Sequence, residues 1–134
     1  MLAVAGLLAT SGIANAAPKA ESGNVGIQSA VLGHICDGAF GNIEKFVIIS
    51  EGGIPAGSTW VVSTSRNPSP YTFKAVPDSA LVQTTQVSQS SVKLQALTTI
   101  PNGTVVKVQP TNFYTNSVLT ISGYGGSDSS APWC

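Results

Sequence analysis

From Ala17 onward the chain is a succession of short β-branched runs, and Gly or Pro cuts them off about every ten residues. That punctuation leaves little room for helices and predicts short strands. The first falls within Val25–Ile35, where Val25, Ile27, Val31 and Ile35 share one parity. In Ile43–Ser50 both faces are apolar, Phe46 and Ile48 against Val47 and Ile49, which marks a strand interior to a sheet. Thr59–Ser65 follows, then Tyr71–Val76, with Tyr71, Phe73 and Ala75 pointing one way. Leu81–Ser88 is polar enough to be an edge. Ser91–Leu97 alternates cleanly, placing Val92, Leu94 and Ala96 inward, and Thr104–Gln109 and Ser117–Ser122 complete the set. Short strands with turns at this spacing predict an all-β, antiparallel sandwich of about 7–8 strands. A small closed barrel is the alternative.

Two turns echo one another. Ile54-Pro55-Ala56-Gly57-Ser58 leads into Thr59-Trp60-Val61-Val62, and Ile100-Pro101-Asn102-Gly103-Thr104 leads into Val105-Val106-Lys107-Val108. In each, Pro presets one backbone angle, Gly takes the positive angle after it, and Ser or Thr opens a β-branched strand. The two are expected to be equivalent turns in the two halves of one sandwich. The stretches "GGIPAGSTWVV" and "LTTIPNGTVVKV" resemble bacterial immunoglobulin-like domains of exported and surface proteins, in which Ile/Leu-Pro-x-Gly-Ser/Thr turns precede sandwich strands. The resemblance covers roughly Ile43–Gln109 and implies an immunoglobulin-like fold in an extracellular setting. It carries no site residues, because that family shares no active site. An Asn-Thr-Gly segment and tandem copies are missing. "NGTVVKV" is also similar to the actinomycete apo-chromoproteins of the neocarzinostatin type, whose short-range cystine pairs this chain lacks.

The N-terminus reads as an export signal. Leu2–Leu8 is apolar, and Ala14 and Ala16 supply the A-x-A pattern of a signal peptidase site, so residues 1–16 are expected to form a cleavable signal helix. No Lys or Arg precedes the apolar run, which departs from the usual pattern. Residues 17–134 then form one domain, able to bury about two-thirds of its unfolded surface. The mature chain should be secreted, with no membrane span. In an oxidising compartment Cys36 and Cys134 are expected to bond to each other. Closing so long a loop contributes up to about 4–5 kcal/mol on a chain-entropy account.

Charge is sparse. Six basic residues (Lys19, Lys45, Arg66, Lys74, Lys93 and Lys107) balance six acidic ones and stand singly. Nucleic-acid binding needs clustered cations, so it is excluded as an expectation. His34-Ile35-Cys36-Asp37 is the one place where imidazole, thiol and carboxylate meet. A Cys nucleophile would need its thiolate held by the imidazole, but a structural cystine accounts for Cys36. His34 and Asp37 lack the further ligands a metal requires. Glycoside hydrolysis would need a carboxylate pair at a fixed separation drawn from Asp37, Glu44, Glu51, Asp78 and Asp128, and surface solubility explains each of these better. No G-x-S-x-G elbow occurs.

The expected role is therefore a non-enzymatic binding or structural module for a surface, a glycan or an extracellular protein, with no cofactor and no metal. Trp60 and Tyr71 lie in strands and are assigned to the core, and Trp133 to the vicinity of the cystine. Phe113, Tyr114 and Tyr124 lie in loops and are the ligand-facing candidates, the Pro110–Asn116 connection foremost. Alternatively, Arg66 in Ser65-Arg66-Asn67-Pro68-Ser69-Pro70 presents one cation from a Pro-stiffened loop, as a secreted inhibitor or effector would. A hydrolase or an apolar small-molecule carrier with an unrecognised site is the third class. Asn102-Gly103-Thr104 is a glycosylation acceptor in form, and a turn explains it equally well.

Overall fold

The computed structural model describes residues 28–36 and 44–132. Within them the chain is all-β, with no helix long and apolar enough to cross a membrane. The strands are β1 (Ser29–Cys36), β2 (Glu44–Glu51), β3 (Thr59–Thr64), β4 (Lys74–Pro77), β5 (Val82–Ser88), β6 (Ser91–Ala96), β7 (Val105–Thr111), β8 (Leu119–Gly123) and β9 (Gly126–Ser130). They form a four-stranded sheet, β1-β2-β7-β4, and a five-stranded sheet, β5-β6-β3-β8-β9. Every pairing is antiparallel.

The alternation in the sequence decides which faces meet. Phe46 and Ile48 of β2 and Val106 and Val108 of β7 join Trp60 and Val62 of β3, Val92 and Leu94 of β6, and Leu119 and Ile121 of β8 in one buried cluster. The two inner faces thus share a single core. β2 lies between β1 and β7. Its outward Val47 is also buried, as its two-sided apolar pattern predicts. β5 is an edge strand and reads accordingly: beyond Val82 every residue is exposed.

Polar side chains close the flanks between the sheets. On one side Gln86 of β5 donates to the carbonyls of Phe73 (2.9 Å) and Ser88 (2.7 Å) and accepts from Lys74 Nζ at 3.3 Å. On the other, β1 meets β9, where His34 Nδ1 and Asp128 Oδ2 lie 2.5 Å apart. Gly125, at φ 99°, runs so close there that a Cβ would lie 2.4 Å from the Ala30 carbonyl oxygen.

Three expectations are corrected. β4 begins at Lys74, not Tyr71. A turn closed by Tyr71 N–H to Pro68 O (2.8 Å) occupies the preceding residues, and Tyr71 faces solvent at 61% exposure instead of filling the core. Pro110 lies inside β7, opposite Ala75. The β2 ladder stops at Val108, so among the described residues β7 has no second partner beyond that point whose hydrogen bonds a proline would break. β9 was not expected, because Gly126-Ser127-Asp128-Ser129-Ser130 contains no β-branched residue and pairs only through β8. The expected signal helix, Asp37, Trp133 and Cys134 lie outside the described residues.

Candidate functional site

The register of β3 against β8 determines what gathers at one end of the molecule. Thr64 pairs with Leu119, so the loop leaving β3 and the loop entering β8 leave the sheet side by side. They are fastened together: Ser65 N donates to Val118 O (3.0 Å), Val118 N to Ser65 Oγ (2.8 Å), and Tyr114 N to Arg66 O (3.1 Å). Arg66 is held again from its own strand. Thr64 Oγ1 donates to Arg66 O at 2.8 Å and accepts from Arg66 N at 3.3 Å.

These bonds fix the backbone and leave the side chains outward. The Arg66 guanidinium carbon stands 5.0 Å from the centroid of the Tyr114 ring, a cation–π contact. Arg66 is exposed, and Tyr114 keeps 42% of its surface. No carboxylate pairs with Arg66 among the described residues. Asn67 ties the exposed Tyr71 into the same end by donating to Tyr71 O (2.9 Å) and Gln89 O (3.0 Å). Asn112, at φ 63°, donates to Thr72 O at 2.9 Å and turns the chain from β7 into the Tyr114 loop. Ser117 closes that loop, with N and Oγ both donating to Tyr114 O, at 3.0 and 2.6 Å.

The residues singled out from the sequence are distributed unevenly. Tyr114 and Arg66, which belonged to two competing expectations, come together. Phe113 is half-buried and packs against the core. Tyr124 sits at the opposite end, also against the core. Its backbone oxygen accepts from Trp60 Nε1 (2.8 Å), and its phenol donates to Gln28 O (2.9 Å). Burial raises the Tyr124 pKa above the ordinary phenol value. Trp60 is fully buried. His34 Nδ1 meets Asp128 Oδ2 across the β1–β9 flank. Among the described residues no three His, Cys, Asp or Glu side chains are placed to hold a metal.

Tyr71 was missed as an exposed aromatic, and the Arg66–Tyr114 contact was missed altogether. The two are 48 positions apart in sequence, and only the β3–β8 register could have signalled their meeting. No family model, curated protein or solved structure matches this chain.

Proposed function

We propose that the chain is an exported, non-enzymatic binding module whose ligand docks at the Arg66–Tyr114 end. One observation carries this: an arginine that has no carboxylate partner among the described residues rests on an exposed tyrosine, on two loops whose backbones are already fastened. Arg and Tyr are the side chains that most often dominate binding energy, and a fixed backbone lowers the entropy cost of docking. The inhibitor alternative fits less well, because an inhibitor's cation must project into a pocket and this one lies against its neighbour's ring.

An immunoglobulin-like scaffold is part of the same proposal. Such sandwiches run A-B-E-D in one sheet and G-F-C in the other, extended by C′ and C″ in variable-type domains. The orders β1-β2-β7-β4 and β9-β8-β3-β6-β5 follow these in space. Trp60 stands on the strand where antibody domains carry a core tryptophan. The connectivity departs in the middle, since β4 crosses to the first sheet before β5 and β6 form.

Export rests on the Leu2–Ala16 segment and on a proposed Cys36–Cys134 cystine. Placement supports the cystine. β1 and β9 advance in the same sense, from Ala30 beside Gly125 to His34 beside Asp128. The chain therefore leaves Ser130 heading toward the level of Cys36. No cysteine is free among the described residues.

The test is a screen of residues 17–134 against glycan and extracellular-protein arrays, repeated with Arg66→Met and Tyr114→Ala. The proposal expects a ligand whose signal both variants lose at unchanged unfolding midpoints. Ligands that bind both variants normally would place the site elsewhere.

A further inference from the structure

We infer that the ligand of this end is a carboxylate-bearing glycan, a chain containing uronic acid units. The inference rests on the binding-module reading above and adds the chemistry of the ligand.

The cation supplies the first half. A guanidinium carries five N–H donors in a rigid fork that matches a carboxylate bidentately. Among the described residues the side chain of Arg66 makes its contact with the Tyr114 ring and no hydrogen bond, while its backbone is held by Thr64 and Tyr114. The ring supports the cation from one side without satisfying any donor. The fork is thus charged, positioned and unspent, and an anion with two oxygens completes it.

The surroundings supply the second half. The loops carrying Arg66 and Tyr114 also expose Ser69, Thr115 and Asn116, all neutral hydrogen-bonding groups. The large apolar side chains they expose are Tyr71, Tyr114 and Val118. An uncharged, hydroxyl- and amide-rich surface with flat rings suits a polyhydroxylated ligand that offers one apolar face per ring. An acidic peptide would draw its affinity from further cations or from an open strand edge, and Arg66 is the single cation on these two loops. One fork for each carboxylate, set among hydroxyl-seeking groups, favours the uronic acid chain.

The experiment titrates mature protein with short oligogalacturonate, oligomannuronate and glucuronate-containing oligosaccharides, with their methyl-esterified forms and with a polyglutamate peptide. Binding to at least one free-acid oligosaccharide is expected, weakening as salt rises and lost on esterification. Arg66→Met should bind about tenfold to a hundredfold more weakly, the range for one charge-assisted pair. Arg66→Lys, which keeps the charge without the fork, should fall between. Binding to none of the three sugars, equal binding of the esters, or tighter binding of polyglutamate would overturn the inference. If array ligands nevertheless depend on Arg66 and Tyr114, the binding end stands and only its ligand class is wrong. If nothing depends on them, the reading beneath it fails as well.

Discussion

Ile54 and Ile100 exchange both of their backbone hydrogen bonds, N to O at 2.9 Å in each direction, and both side chains are fully buried. The two Ile-Pro-x-Gly turns that echo in the sequence therefore pair with each other through their first residues. Their interiors match as well. Gly57 and Gly103 have φ of 89° and 86°, and Ser58 N and Thr104 N return to Pro55 O and Pro101 O at 3.2 Å each. One turn leads into the five-stranded sheet and the other into the four-stranded sheet, so the bridge joins the halves of the fold.

That symmetry predicts equal responses. A Cβ at Gly57 or Gly103 would meet nothing within 4 Å, so Gly57→Ala and Gly103→Ala should each cost about 1–2 kcal/mol from the left-handed backbone alone. Ile100→Ala removes buried surface and should cost about 2–5 kcal/mol. Urea unfolding of the three variants checks both. A large difference between the two glycine variants would contradict the equivalence.

Gly123→Ala should be far worse than either turn glycine. A Cβ there would lie 2.2 Å from Thr59 O and 2.7 Å from Trp60 Cα. These are backbone atoms of the paired strand and cannot swing aside. The variant should lose about 3 kcal/mol or more, beyond ordinary overpacking, and an unchanged thermal midpoint would show that β3 and β8 are further apart than described.

Tyr124 gives a pH dependence. Its pKa is raised by burial, so its contribution to stability is complete below the ordinary phenol value near 10. It is lost as pH rises through the higher folded value, because only the neutral phenol can donate to Gln28 O. Unfolding midpoints should therefore fall faster above pH 10 in the wild type than in Tyr124→Phe. The variant itself should lose about 1 kcal/mol at neutral pH. Parallel curves would remove Tyr124 from the account.

The Cys36–Cys134 proposal predicts no titratable thiol in denatured, unreduced mature protein. Reduction should lower stability by up to about 4–5 kcal/mol. Two reactive thiols per chain would refute the bond and reopen Cys36 as a nucleophile.

The fold was largely legible because strand identity is written locally. The alternation in Ser91–Ala96, the two-sided apolar run of β2 and the polar edge of β5 each specify a face without reference to distant residues. What escaped depends on partners. β9 is a strand only because β8 offers it a ladder. Tyr71 leaves the core only because Asn67 and Pro68 hold its backbone in a turn. The candidate site was half legible. Loop position marked Tyr114 and Arg66 separately, but their contact is a product of the β3–β8 register and has no local trace. Phe113 and Tyr124 carry the same loop signature and yet pack inward, since a small sandwich draws aromatics from its loops to cap its core.

The most direct test of the Arg66–Tyr114 end as the binding site is amide chemical-shift mapping of residues 17–134 with a ligand from the array screen. The account predicts perturbations concentrated at residues 64–72 and 112–118, with the Tyr124–Gly126 end silent. Perturbations centred on Tyr124, or spread over the outward face of the five-stranded sheet, would contradict it.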